Sequence, residues 1–259
     1  MKPEYRFCKR GEVAQLRTLW KEAFGDTDAF LDGFYNLAFS TDRCCVAVQT
    51  ESVVSAAYWF PCTCRGMQVA YVYAVATKES CRGQGIAKDL LAWLKETLEQ
   101  QGVAAMLLVP ASRELIRFYA KLGYLPCSPQ GRIKMCAAGP AVPLKPVSPR
   151  RYGELRQTML PEGSVCQEGV SLEFQATMSR LYAGKELLLA ATIREDGTVF
   201  AQELLCKDPA KRIPGILKTL KAQEGIFCVP YEKGRPIAMY LPLQNWQGGE
   251  PGYFAFSFG

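Results

Sequence analysis

Three strand-like runs follow one another between Cys44 and Thr77 with almost nothing between them: "CCVAVQT", "SVVSAAYWFPCTC" and "QVAYVYAVAT". Their connections, at Glu51–Ser52 and Arg65–Gly66–Met67, are too short for the crossover that parallel neighbours need. The runs are therefore expected to lie side by side as antiparallel strands. After Gln84 the apolar period changes to 3.6, with Ile86, Leu90, Leu94 and Leu98 in a stripe flanked by Ala87 and Leu91, and Gly102 suits the helix C-terminus. Any fold for this chain must join an antiparallel sheet directly to an amphipathic helix with two glycines, Gly83 and Gly85, at its mouth.

The flanking segments extend the pattern. "YRFCKR" reads as a short strand. "EVAQLRTLWKEAFG" places Val13, Leu16, Trp20 and Ala23 on one helical face, and "DTDAFLDGFYNLAF" does the same with Phe30, Phe34, Leu37 and Ala38 after an acidic start that suits a helix N-terminus. "VAAMLLVP" is wholly apolar, as a strand covered on both faces is, and precedes the helical "SRELIRFYAKLG" and the strand-like "GRIKMCAA". The proline-rich "AGPAVPLKPVSP", residues 138–149, reads as a linker between a domain of residues 1–137 and one of residues 150–259. The second half begins with two helical stretches, "RRYGELRQTML" and "SLEFQATMSRLYAG", and a hairpin turning at Asp196–Gly197. The helix "DPAKRIPGILKTLKAQ" and three strands, "GIFCVP", "RPIAMYLPL" and "GYFAFSFG", follow. This order echoes the first half without repeating its residues, as a decayed duplication would.

Composition removes several chemistries. The 259 residues contain no histidine, which excludes Ser-His-Asp hydrolysis, Cys-His nucleophilic catalysis and most zinc-hydroxide mechanisms. Proton transfer has to use a carboxylate, tyrosine, lysine, cysteine, water or a chain terminus. The eleven cysteines are odd in number and contain no C-x-x-C, so reduced thiols are expected and no metal site. No apolar run approaches the roughly 18 residues of a membrane span, and the opening "MKPEYRFCKRGE" has no apolar signal region, so a soluble, cytoplasmic chain without a membrane partner is expected. Net charge is +6, but no basic run tracks a nucleic-acid backbone; a small polyanion fits better than nucleic acid.

A helix mouth with unpaired N–H groups attracts phosphate, and glycines let the phosphate approach. A dinucleotide fingerprint would need Gly or Ala where Lys88 stands, and a P-loop would need G-K-[S/T], which "GIAKDL" lacks. The pattern met is R-x-x-G-x-A, at Arg82, Gly85 and Ala87. Here the chain resembles the GNAT superfamily of acyl-coenzyme A transferases, whose signature is Q/R-x-x-G-x-G/A between a strand and a helix. "FYAKLGY", Phe118 to Tyr124, resembles that family's "Y-E-K-L-G-F". The resemblance covers the element order of residues 4–137 and implies a mixed, mostly antiparallel α/β sheet flanked by helices, with a second, smaller α+β domain beyond it.

The resemblance further implies acetyl-coenzyme A as cosubstrate, held between two splayed strands. Val75, Ala76 and Thr77 lie on the strand expected to pair with the pantetheine arm. Pyrophosphate is expected on the N–H groups of Gly83, Gln84, Gly85, Ile86, Ala87 and Lys88, with charge from Arg82 and Lys88. Ser112 stands where the family often has asparagine, and Tyr119 stands at the general-acid position. From spacing alone Tyr119 fits a packed stripe with Leu115, Phe118 and Leu122 equally well.

Candidate bases are Glu22, Asp26, Asp28 and Asp32, a water oriented by Tyr71 and Tyr73, or the Gly259 carboxylate. The last follows a looser resemblance to the mycobacterial enhanced-intracellular-survival acetyltransferases. Cys81, beside Arg82 at the helix mouth, is a candidate reactive thiol. The implied acceptor is the amine of a small molecule or peptide. Transfer of another acyl group and non-catalytic acyl-coenzyme A sensing are the alternatives. The second half lacks a coenzyme motif and is expected to wall the acceptor pocket or to serve as a stability or homodimerisation module.

Overall fold

The computed structural model describes residues 2–258. In chain order the elements are β1 (Glu4–Phe7), α1 (Val13–Phe24), α2 (Asp28–Gly33), β2 (Cys44–Gln49), β3 (Ser52–Cys64), β4 (Met67–Thr77), α3 (Ile86–Gln100), β5 (Ala105–Leu108) and α4 (Arg113–Lys121). There follow β6 (Leu125–Cys136), β7 (Lys145–Pro146), α5 (Pro149–Met159), β8 (Val165–Gln167), α6 (Val170–Met178), β9 (Arg180–Gly184), β10 (Leu187–Ile193), β11 (Val199–Cys206), α7 (Pro209–Thr219), β12 (Glu224–Pro230) and β13 (Arg235–Pro242). Among the described residues no helix is long and apolar enough to cross a membrane.

The chain forms two compact units. The first is residues 1–125 with 239–248, and the second is residues 126–238 with 249–259. The sequence places the boundary in the proline-rich segment instead. That segment is bonded into the second unit: Val142 donates to Gly215, and β7 pairs antiparallel with β9. The units also divide β13, whose residues Met239–Pro242 pair antiparallel with Leu108–Ala105 in the first unit.

The first unit carries the expected mixed, mostly antiparallel sheet. Its order is β1-β2-β3-β4-β5 and then the end of β13, and among the described residues only the β4–β5 pair of these is parallel. The two tight hairpins turn with positive φ at Thr50, Glu51, Arg65 and Gly66, which suits the right-handed twist of the flanking strands. On one face α3 buries Leu90, Leu91, Leu94 and Leu98 against Ala57, Val72, Met106 and Leu108, with Tyr119 and Tyr124 of the α4 region in the same cluster. An aromatic cluster around Trp20 joins α1 and the α2 segment to β3 and β4. Its rings lie 4.7 Å from Phe34, 5.0 Å from Tyr58 and 5.6 Å from Tyr73.

In the second unit the sheet runs β6-β12-β11-β10-β9-β7, and among the described residues only the β11–β12 pair of these is parallel, with α7 between its strands. Its core gathers Leu187, Leu189, Val199, Leu204, Ile213, Ile216, Leu217 and Phe227.

Four local expectations are corrected. Leu37 is 46% exposed, because past Gly33 the helix loosens to a π-type turn over Phe34–Ala38, closed by Phe39 N–H to Phe34 O at 3.0 Å, and this swings Leu37 off the buried face. Leu115 is exposed as well, so α4 buries Tyr119 rather than a full stripe. "SRLYAG" continues no helix: α6 stops at Met178, and Arg180–Gly184 pairs as a strand with β10. "GYFAFSFG" forms no strand among the described residues. Most of its side chains are buried, and its backbone is fixed by Gln167, whose amide both donates to Phe256 O (2.7 Å) and accepts from Phe256 N–H (3.2 Å).

Candidate active site

The site begins where β4 leaves its neighbours. β4 is parallel to β5 only over Val69–Tyr71. Against β3 its register then shifts, and Ala74 takes φ +49°, a left-handed conformation that costs a non-glycine residue about 1–3 kcal/mol. Past this bulge Lys78 N–H donates to Val54 O at 2.8 Å. By the two-residue period of a strand, Ala76 also faces β3, while Val75 and Thr77 turn their main-chain groups to the open side. Ser55, fully buried, locks the strand end by donating to Ala76 O (2.6 Å) and sharing a hydrogen bond with Thr77 Oγ1 (2.9 Å).

Between Thr77 and α3 the chain makes one 3-10 turn, Glu79–Cys81, and reaches the helix through Arg82 to Gly85. Gly83 and Gly85 have φ +76° and +81°, and a Cβ at either would meet nothing within 4 Å. Glycine is therefore required by backbone conformation, with open space above it. Gly85 is the N-cap of α3 and no side chain caps the 15-residue helix, so the first N–H groups remain free for an outside acceptor. Ile86 is buried against Ala47 and Val54 and pins the helix start to the sheet, Ala87 is half-buried, and Gln84 and Lys88 are exposed. Lys88 makes no ion pair among the described residues, whereas Arg82 donates from Nε to Thr77 O at 3.1 Å. Gln84 bonds back to Ser80 O at 3.3 Å.

Tyr119 lies on α4 in the core beside Phe118 and Tyr124, with ring centroids at 5.1 and 5.6 Å. Its hydroxyl makes no hydrogen bond among the described residues, and burial pushes the phenol up to about 12. It therefore holds its proton throughout the neutral range. Ser112 caps α4 by accepting from Leu115 N–H at 3.3 Å, which commits its side chain to helix geometry.

The candidate bases differ in their commitments. Asp28 and Asp32 are exposed and paired with Arg17, Asp28 also with Lys21, and the Lys21 ammonium holds the Asp28 carboxyl below its usual range. Glu22 accepts from Glu79 N–H at 2.5 Å. Asp26 is half-buried, meets no cation among the described residues, and accepts from Trp20 Nε1 at 2.8 Å. The Tyr71 and Tyr73 rings are 6.0 Å apart, and burial raises both phenols, with the Asp26 charge adding to the shift at Tyr73. Cys81 is half-buried next to Ile86, with Ser80 Oγ at 3.8 Å. Gly259 lies outside the described residues.

Three contributors escape sequence reading: the Ala74 bulge, Ser55, and Glu22 as a partner of the loop. Only Ser55 leaves a signal, as a polar residue inside an otherwise apolar strand.

The family model for the acetyltransferase (GNAT) domain matches residues 4–127. No curated protein matches the sequence. Among solved structures, a conserved protein of Enterococcus faecalis V583 described as a probable N-acyltransferase superposes with a TM-score of 0.72 at 18% identity, covering 93% of this chain and 72% of that one. A GCN5-related N-acetyltransferase from Anabaena variabilis ATCC 29413 gives 0.70 at 15% identity, covering 92% and 72%. Eis1 from Mycobacterium abscessus gives 0.63 at 15% identity, covering 91% and 66%. At these identities the likeness is one of fold.

Proposed function

We propose, from the premise that residues 4–127 belong to the GNAT acetyltransferase domain family, that this acyltransferase moves an acetyl group from acetyl-coenzyme A directly to the amine of a small molecule or peptide. The observation that carries the reading is the uncapped α3 N-terminus, with Gly83 and Gly85 at positive φ, set beside the edge of β4 that β5 leaves past Tyr71. The residues fit the donor: backbone N–H groups from Gly83 to Lys88 bind its pyrophosphate, Lys88 and Arg82 add charge, and Val75 and Thr77 pair with its amide-bearing arm as an added strand would. The thioester supplies an acyl group activated for transfer.

An amine of pKa near 10 is mostly protonated at neutral pH and has to lose a proton before it attacks. Among the candidate carboxylates, Asp26 is half-buried and free of a cation among the described residues, and it takes that proton through water. Tyr119, kept protonated by burial, donates to the departing sulfur. A decayed copy of the same fold is the reading we give the second unit, supported by its matching strand–helix–strand parallel pair without a glycine loop.

Titrating acetyl-coenzyme A with and without a panel of amines, while following thiol release, tests the proposal. Saturable binding with release on at least one amine is expected. Binding without release on any amine points to a sensor, and no binding overturns the donor site itself.

A further inference from the structure

The helix α1 carries Gln15 and Glu22 two turns apart, so both side chains project from one face. Both reach backbone N–H groups of other elements. Gln15 Oε1 accepts from Val53 at the start of β3 (2.8 Å), and Glu22 Oε1 accepts from Glu79 (2.5 Å). The two β-segments are themselves joined by Lys78 N–H to Val54 O. A 160 Å³ cavity between Gln15, Glu22, Val53 and Lys78 separates the two contacts.

Glu79 opens the 3-10 turn, and the first N–H groups of such a turn have no partner inside it. Its own carbonyl accepts from Arg82 N–H at 3.2 Å, immediately before Gly83. The amide that Glu22 holds is therefore one of the points that fix the entry to the glycine segment, with Arg82 Nε on Thr77 O the other at that end. Beyond Arg82 the segment is tied by Gln84 to Ser80 O and by Ile86 against Ala47 and Val54, while its glycines present no side chains and its helix start is uncapped.

We infer that Glu22 is a positioning residue for the donor loop: its carboxylate holds the Glu79 amide so that the Gly83–Lys88 N–H groups are arrayed before the donor arrives. The inference rests on the reading of this loop as the donor's phosphate site. On this inference Glu22 acts on the main chain, through Oε1, and not on the acceptor amine. Gln15 shows in the same helix that an amide oxygen suffices for such a tie.

The test compares Glu22→Ala with Glu22→Gln in the full chain. We measure coenzyme A affinity by calorimetry, kcat and KM for acetyl-coenzyme A, and hydrogen exchange at the Glu79 amide. Glu22→Ala is expected to speed Glu79 exchange and to raise Kd and KM about 5- to 10-fold, the worth of one hydrogen bond, with kcat within about 2-fold. Glu22→Gln is expected to restore all three. Unchanged affinity and Glu79 exchange in Glu22→Ala overturn the inference. So does a Glu22→Gln variant whose kcat falls as far as that of Glu22→Ala with loss of the acidic limb of the pH profile, which identifies a base. Failure of the wild-type protein to bind coenzyme A overturns the donor reading, and this inference with it.

Discussion

The two parallel strand pairs, β4–β5 and β11–β12, are joined through helices in the same way and used in opposite ways. Each pair holds for three residues, Val69–Tyr71 in one and Val199–Ala201 in the other. In the first unit the strand then bulges, leaves main-chain groups open and enters α3 through two glycines. In the second, β11 runs on past Glu203 to Cys206, and the chain enters α7 through Asp208, at φ +51°, with Pro209 in the first turn and Pro214 inside the helix. Proline removes N–H groups that an anion would use. Glu203 is fully buried, accepting from Arg156 Nε at 2.8 Å and from Tyr152 hydroxyl at 2.9 Å. After β5 comes the helix with Tyr119, whereas after β12 the chain turns straight into β13. A shared order of pairings thus carries no chemistry by itself; the second unit places a buried ion pair between α5 and β11 and prolines in α7 where the first has an open glycine loop.

The contrast breaks most readily at Glu203. Glu203→Ala leaves the Arg156 guanidinium buried without its partner and is expected to cost about 3–5 kcal/mol in chemical denaturation. The double variant Arg156→Met/Glu203→Leu recovers most of that, and coenzyme A affinity stays at the wild-type value in it. Loss of affinity in the refolded double variant would give the second unit a part in donor binding.

Next in size is Tyr119→Phe. Turnover is expected to fall about 100-fold, within the range for general acids, while donor Kd is unchanged. Wild-type turnover would reduce Tyr119 to a packing residue and erase one difference between the units. Gly85→Val places a β-branched residue at positive φ at a cost of about 1–3 kcal/mol and is expected to weaken donor binding about 10- to 100-fold. Asp208→Gly, the counterpart in the second unit, relieves a left-handed residue and leaves donor binding alone.

The smallest effect is in pH. Tyr119 is pushed up to about 12 by burial, above the ordinary phenol value of 10.0. Its contribution to stability is complete below pH 10 and is lost as pH rises through about 12. Urea midpoints of wild type and Tyr119→Phe are expected to keep a constant difference up to pH 10 and to converge or cross above it. A difference that stays constant through pH 12 would place the phenol in a wetter environment than its burial implies.

The meander and the glycine loop were legible because their signals are local: short connections force antiparallel pairing, and positive φ selects glycine. What escaped depends on contacts distant in sequence. "SRLYAG" carries no glycine or proline at the end of α6, and only pairing with Leu187–Ala191 makes it a strand. β6 starts at Leu125, across Pro126 and Pro129, residues that argue against a strand, and it is held by β12 nearly a hundred residues on. At the site, Ala74 supplies a left-handed bulge without the glycine that would advertise it, and the role of Glu22 appears only when an amide 57 residues away meets its carboxylate.

The partition of β13 has a consequence for how such a chain is made. The first unit lacks the partner of Ala105–Leu108 until residues 239–242 have been synthesised, and the second draws a strand from residues 126–136. At roughly 5–20 residues per second, β5 waits many seconds on the ribosome with one edge bare. Closing that pair means bringing together segments more than a hundred residues apart, the kind of contact that slows folding most. Translation rate and early capture by chaperones are then expected to govern yield more than the stability of either unit does.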